Sequence, residues 1–154
     1  NVKNLARKKV AIIGAGGAAK SAAYVVKQLK GKACIFNRTV SKAKSLAEHF
    51  GFKYASLDAE NVDLLETYSD LIIQTTSIGM GVPEGTICDD EKQVDPIPFY
   101  NFHGHEAVYD IIYNPKETPI MLRAKAAGCK VENGYSMLIN QAYGQFSLFT
   151  GVQL

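Results

Sequence analysis

The sequence predicts an α/β fold in which a mainly parallel, six-stranded sheet carries helices on both of its faces. Short runs rich in β-branched residues alternate along the chain with segments whose apolar residues recur every three or four positions, as on one face of a helix. The run at 71–75 opens with three consecutive apolar residues, which is typical of a strand covered on both faces, as in parallel sheets. We therefore expect crossover helices between parallel strands.

The first two strand and helix pairs show the pattern most clearly. The β-branched run at 9–13 predicts a strand, and residues 17–30 follow with the apolar spacing of a helix that stops before Gly31. The run at 32–36 predicts the second strand. Residues 40–50 repeat the helical spacing and predict the second helix.

The rest of the chain continues the alternation with shorter elements. We predict a weak strand at 52–55, a helix at 58–68, strands at 71–75 and 107–113, a helix at 118–128, a brief strand at 130–132 and a closing helix at 136–150. The stretch 77–106 contains three prolines and little periodicity, and loops of this length are usually functional or mobile. Right-handed crossovers then give the strand order 3-2-1-4-5-6, with ligands at the carboxyl ends of the strands.

Length, charge and cysteine content narrow the class of protein. We assign residues 1–154 to a single domain with one ordinary core. The net charge of +2 is too balanced for binding nucleic acid or a membrane surface by charge alone, and no apolar run approaches the ~18 residues that span a bilayer. Cys34, Cys88 and Cys129 lack metal or redox spacing and favour a reducing compartment, hence a cytoplasmic location. Because the chain starts with Asn1, a longer parent protein and a plastid location stay open.

A glycine-rich turn joins the first strand to the first helix. Residues 14–19 fit the pattern G-x-G-x-x-A, in which the first glycine permits a tight turn and the second lets the backbone approach a pyrophosphate. The helix N-terminus then faces the anion. A glycine-rich turn without a ligand is the alternative, but the strand, turn and helix context favours a Rossmann-type dinucleotide site. The expected cradle is Gly14, Ala15, Gly16, Gly17 and Ala18.

The end of the second strand indicates which dinucleotide is bound. Asn37 stands where a NAD-binding fold keeps an acidic ribose ligand, and the cations Arg38, Lys42 and Lys44 follow it. Cations in the first turn of a helix oppose the helix dipole, whereas a bound 2′-phosphate would make them favourable. A solvated, charged helix start is the alternative. The pattern favours NADP over NAD.

Five segments together resemble the shikimate dehydrogenase family. They are G-A-G-G-A-A at 14–19, N-R-T-x-x-K at 37–42, T-T-S-x-G-M at 75–80, Y-D-x-x-Y-x-P-x-x-T-P at 109–119 and G-x-x-M-L-x-x-Q-A at 134–142, all in the family's order. The resemblance covers only the NADP-binding domain. It implies that the N-terminal shikimate-binding domain, which carries the family's catalytic Lys and Asp, is absent, so we assign no catalytic residue to this chain.

The resemblance implies a function for the parent enzyme and partners for this domain. The complete enzyme interconverts 3-dehydroshikimate and shikimate by reversible hydride transfer, a step of the shikimate pathway to chorismate and the aromatic amino acids. We expect this chain alone to bind NADP without catalysing. A fused 3-dehydroquinate dehydratase stays open, as do a quinate or quinate/shikimate dehydrogenase and a non-catalytic, ligand-sensing regulator that kept the domain.

The resemblance also assigns residues to each part of the ligands. The glycine turn would hold the pyrophosphate, and the segment after the second strand would hold the adenosine ribose and its 2′-phosphate. The remaining residues would line the middle of the dinucleotide, the nicotinamide and shikimate. The residues are Asn37, Arg38, Thr39 and Lys42 for the ribose phosphate, Thr75, Thr76 and Ser77 for the middle, Ile111, Gly134 and Met137 for the nicotinamide, and Tyr113 and Gln141 for the substrate.

Four other polar residues are not assigned to a ligand. Gln74 departs from the Asn expected before Thr75, and the longer amide could shift the hydrogen bonds that shape the cofactor loop. Asp110 lies within a predicted strand and is expected to be structural or electrostatic. His103 and His105 are expected to be solvated or packed in the loop, and we predict no metal site.

Overall fold

Six parallel strands and four α-helices make up the computed structural model, which describes residues 5–87 and 93–134. The elements are β1 (Lys9–Ile13), α1 (Gly17–Gln28), β2 (Lys32–Asn37), α2 (Val40–Phe50), β3 (Lys53–Ser56), α3 (Val62–Thr67), β4 (Leu71–Gln74), β5 (Ala107–Asp110), α4 (Pro119–Ala126) and β6 (Lys130–Asn133). The strands lie in the order β3-β2-β1-β4-β5-β6. The predicted fold class and strand order are confirmed.

The sheet is covered on both faces because its strands are apolar at successive positions. On one face, Val10, Ile12 and Ile73 pack beneath the small buried residues of α1 and α2. On the other face, Ile13 and Ile72 pack with residues of α3 and α4 and with the segment 97–100. Burial of these side chains removes apolar surface from water and supplies most of the stabilising free energy. Within the described ranges, no helix is long and apolar enough to cross a bilayer.

Several predicted boundaries are wrong by a few residues. Strand β5, which we expected to run over 107–113, ends at Asp110. There the Asp110 side chain accepts a hydrogen bond from the Ile112 backbone N–H at 2.9 Å, which turns the chain out of the strand. The helix expected at 58–68 is a 3-10 turn, Ala59–Asn61, followed by the short α3. The helix expected at 136–150 lies outside the described residues.

The described part of the long loop is anchored by α4. The Arg123 guanidinium donates to Asp95 Oδ2 at 2.7 Å, to the Tyr100 carbonyl at 2.7 Å and to the Ile97 carbonyl at 2.8 Å. Residues Ile97 and Tyr100 are themselves buried in the core. The segment 93–106 is therefore a fixed cover on one face of the sheet, and its polar backbone groups are partly satisfied by a single side chain.

Candidate functional site

The carboxyl ends of β1 and β4 meet at the point where the strand order reverses. Gly14 follows β1 with φ +114°, and its N–H donates to the Phe36 carbonyl at 2.8 Å. A Cβ at Gly14 would lie 2.4 Å from Thr75 Oγ1, and that hydroxyl donates to the Ile13 carbonyl at 2.7 Å. The end of β4 is thus packed directly on the turn after β1, and only glycine fits there.

The first turn of α1 faces open space. Gly16 is the N-cap, and no side chain among the described residues caps the helix there. A Cβ at Gly16 or Gly17 would meet nothing within 4 Å. Backbone N–H groups at a helix N-terminus carry partial positive charge and can hold a phosphate. The space that a side chain would fill is therefore free for the backbone to approach a pyrophosphate, as the sequence pattern predicts.

A cavity of about 300 Å³ lies beside this turn and is lined by residues from the carboxyl ends of four strands, β1 to β4. Its polar and cationic wall comes from the segment after β2, and its opposite wall comes from the segment after β4. The lining residues are Ala15, Gly16, Asn37, Arg38, Thr39, Lys42, Leu57, Thr76 and Ile78. No carboxylate is among these described residues, and two cations are. The donor set fits a phosphate ester on an adenosine ribose.

Arg38 and Asn37 already take part in hydrogen bonds. Asn37 Nδ2 donates to the Thr39 carbonyl at 3.0 Å and shapes the turn into α2. Arg38 donates to Gln93 Oε1, which reaches the site from the long loop. Gln93 therefore places a neutral acceptor where we expect phosphate oxygens. No sequence pattern signals this contact, because Gln93 lies in an aperiodic loop far along the chain.

The other predicted cofactor residues lie at the same edge of the sheet, after β4, β5 and β6. The Ile111 N–H donates to the Gln74 carbonyl at 3.1 Å, and the Gly134 N–H donates to the Asp110 carbonyl at 2.8 Å. Tyr113 lies on the loop after β5 with 76% of its surface exposed. The predicted ligands Met137 and Gln141 lie outside the described residues. Which of these residues bind ligand stays a prediction.

A second polar cluster lies at the opposite edge, before β5. The structure brings His103, His105 and Glu106 together, with ligand-type atoms within 4.8 Å of one another. Glu106 is buried and accepts from Tyr100 Oη at 2.6 Å and from His103 Nδ1 at 3.1 Å. The backbone N–H groups of His103 and of Gly104 also donate to it, at 3.0 Å and 2.9 Å. These bonds make Glu106 the anchor of the loop that carries the histidines.

Comparison with known proteins shows which family the chain resembles. The family model described as shikimate / quinate 5-dehydrogenase matches residues 1–84. A shikimate dehydrogenase (NADP(+)) of Maridesulfovibrio salexigens is 36% identical over 148 residues, covering 96% of this chain and 50% of that protein. The chain spans about half the length of the curated relatives it matches.

Solved structures agree in fold over nearly the whole chain. A shikimate 5-dehydrogenase from Thermus thermophilus, in complex with NADP(H) and shikimate, is 29% identical with a TM-score of 0.65, covering 94% of this chain and 50% of that one. A quinate dehydrogenase from Corynebacterium glutamicum in complex with NAD is 28% identical with a TM-score of 0.64, covering 94% and 50%.

Proposed function

Because the chain belongs to the shikimate / quinate 5-dehydrogenase family, we propose that it is the NADP-binding domain of a shikimate dehydrogenase. The observation that carries the proposal is the cationic cavity beside the glycine turn. It places Arg38 and Lys42 next to the open N-terminus of α1 and contains no carboxylate among its described lining residues. A dinucleotide with a third phosphate on its adenosine ribose matches this arrangement.

Each part of the site would have a separate role in binding. The N–H groups at the start of α1 would hold the pyrophosphate, which the helix dipole favours. The planar Arg38 guanidinium can donate to two oxygens of a 2′-phosphate, whereas Lys42 supplies a more mobile point charge. Ile111, partly buried against the apolar core, and Gly134 would form the wall on the nicotinamide side.

The reaction of the parent enzyme would be the reversible reduction of 3-dehydroshikimate to shikimate. NADP, when bound, supplies the hydride carrier for this chemistry. The residues of this chain would orient that carrier and exclude water from one side of it. We assign no proton-transfer residue here, and we expect the groups that handle the hydroxyl proton, and most contacts to shikimate, in a further domain of the parent protein. A fused dehydratase domain also stays a prediction.

Calorimetric titration of the chain with NADP⁺ and NAD⁺ at one fixed ionic strength tests the proposal. We expect a preference for NADP⁺ of about tenfold or more, since charge-assisted hydrogen bonds contribute about 1.5–3 kcal/mol. Arg38→Ala should abolish most of that preference and leave NAD⁺ affinity nearly unchanged. Lys44→Ala is the matched control, because it removes a nearby cation, in α2 shortly after Arg38, that does not line the cavity.

Two results would contradict the assignment. Equal losses of NADP⁺ and NAD⁺ affinity in Arg38→Ala would show that the 2′-phosphate does not bind Arg38 in this cavity. A wild-type preference for NAD⁺ would favour the quinate dehydrogenase alternative, since the family description names both substrates and a quinate dehydrogenase structure contains NAD.

A further inference from the structure

Gln74 is the last residue of β4, and its amide is completely buried at the edge where the candidate cofactor site lies. The side-chain oxygen accepts from the Thr76 N–H at 2.7 Å and from the Thr76 hydroxyl at 2.6 Å. The side-chain nitrogen lies 3.1 Å from the Thr76 carbonyl and 3.4 Å from the Ile78 carbonyl. One buried amide therefore contacts both the donor and the acceptor groups of the segment that follows it.

Residues 75–78 follow β4 and lie outside the strands and helices that the structure describes. Thr75 is held by β1 through its bond to the Ile13 carbonyl, but Thr76 and Ile78 depend on the Gln74 amide. The Thr76 hydroxyl in turn accepts from the Ile78 N–H at 3.2 Å. The Gln74 side chain thus takes the place of a backbone partner for this segment.

Thr76 and Ile78 are also the residues that line the cavity opposite Arg38 and Lys42. Their position decides the width of the cavity on the side that contains no charge. A second contact steadies Gln74 itself, because its nitrogen lies 3.5 Å from the buried Asp110 carboxylate on the neighbouring strand.

We propose that Gln74 is a positioning residue, which holds Thr76 and Ile78 as the uncharged wall of the nucleotide cavity and thereby sets the affinity for the adenosine portion common to NADP and NAD. This inference rests on the proposed function. It differs from the role of Arg38, which acts on the 2′-phosphate alone.

Calorimetric titration of Gln74 variants of the full chain with NADP⁺ and NAD⁺ separates the two roles. Gln74→Met keeps the length and removes every polar atom, so both affinities should fall by about tenfold, as expected from losing one to two net hydrogen bonds, while the ratio between them stays unchanged. Gln74→Glu keeps the oxygen that accepts from Thr76 but places a second acceptor against the Thr76 and Ile78 carbonyls, so it should not restore either affinity.

Two further variants separate positioning from stability. Thr76→Val removes the hydroxyl that bonds Gln74 without opening the core, and should weaken the binding of both nucleotides. It tests the proposal even if Gln74→Met fails to fold. Ser69→Ala is the matched control, since it removes a buried hydroxyl that bonds the Glu66 carbonyl at 2.6 Å, away from the cavity lining. It should lower the denaturation midpoint and leave both affinities unchanged.

The possible failures are distinguishable. If the wild-type chain binds neither nucleotide, the proposed function fails before any variant is compared. If the wild type prefers NADP⁺ and the Thr76→Val and folded Gln74 variants bind both nucleotides as tightly as it does, only the positioning role of Gln74 is overturned. A changed NADP⁺ to NAD⁺ ratio would also overturn it, because the effect would then act through the 2′-phosphate.

Discussion

The two ends of strand β5 each hold a buried carboxylate, and their pKa values shift in opposite directions. Glu106 directly precedes the strand and is 1% exposed, and Asp110 is its last residue and is 0% exposed. Burial raises the pKa of a carboxyl group, because water no longer solvates the charge. Hydrogen bonds outweigh burial at Glu106 and lower its pKa to about 2, whereas burial dominates at Asp110 and raises its pKa to about 7.

The number and strength of the donors explain the difference. Glu106 accepts from the Tyr100 hydroxyl, from two backbone N–H groups and from the His103 ring. Asp110 accepts from the Ile112 N–H at 2.9 Å and the Thr118 hydroxyl at 2.8 Å, with the longer contact to Gln74, and the Asp95 charge opposes its ionisation. The many donors keep Glu106 ionised and fix its loop. Asp110 has fewer donors, so its protonation state changes near pH 7.

The largest loss of stability is expected when the carboxylate at the amino end of β5 is removed. Glu106→Gln places an amide NH₂ against hydrogen-bond donors and leaves them unsatisfied, which should lower the free energy of unfolding by about 3 kcal/mol. Urea denaturation at pH 7 measures this loss of unfolding free energy. The control is Glu117→Gln, which breaks a largely exposed ion pair with Lys125 and should cost less than about 0.5 kcal/mol. Similar losses in both variants would show that the buried Glu106 stabilises the protein no more than a surface ion pair does.

The next largest loss of stability is expected when the loop that leads to Glu106 loses its contacts with Arg123. Arg123→Lys retains the charge but replaces a fork of donors with a single ammonium, which cannot reach Asp95 and two carbonyls together. We expect a loss of about 1–2 kcal/mol in the free energy of unfolding by the same denaturation measurement. A loss no larger than that of Glu117→Gln would show that the segment 93–106 is held by its apolar contacts alone.

The pH dependence of stability should separate the two carboxylates, because their pKa values in the folded state shift in opposite directions. Glu106 has a folded pKa of about 2, below its ordinary value of 4.5, so its contribution is present above that ordinary value and is lost as pH falls toward 2. Asp110 has a folded pKa of about 7, above its ordinary value of 3.8, so the folded state binds the proton more tightly and stability falls as pH rises between these values.

Asp110→Asn checks this assignment because an amide mimics the protonated carboxyl group at every pH. The variant should show no fall in the free energy of unfolding over the range where the wild type loses stability, from about pH 4 to about pH 7. Denaturant titrations at several pH values give both curves. Parallel curves for the two proteins would mean that Asp110 ionises without a net cost in the folded state.

The sheet and the phosphate turn could be predicted from the sequence because local patterns specify both. Apolar runs such as 71–75 and the helical spacing after each strand depend on neighbours in the chain. Gly14 could be assigned to a tight turn for the same reason, and its positive φ agrees. The cations Arg38 and Lys42 also lie close together in the sequence, so a shared position at the carboxyl end of β2 could be predicted with the strand order.

Contacts between distant segments could not be predicted in this way. The sequence pattern placed Asp110 inside a longer strand, because Ile111 and Ile112 continue the apolar run, and only the hydrogen bond from Ile112 to the Asp110 side chain shows why the strand ends. The partnership of Glu106 with Tyr100 and of Arg38 with Gln93 depends on how a long aperiodic loop packs. Periodicity carries no information about such packing.

The carboxylates at the two ends of β5 also restrict the alignment of this strand with its neighbours. Ile72 pairs with Val108 and Ile73 with Tyr109, and both faces of the sheet are apolar, so these side chains alone would tolerate a shift by one residue. Such a shift would turn Glu106 and Asp110 toward the opposite faces, away from the Tyr100 and Thr118 hydroxyls, at a cost of several kcal/mol for each buried polar group. Two charged residues thus select one register for a strand whose apolar residues fit several.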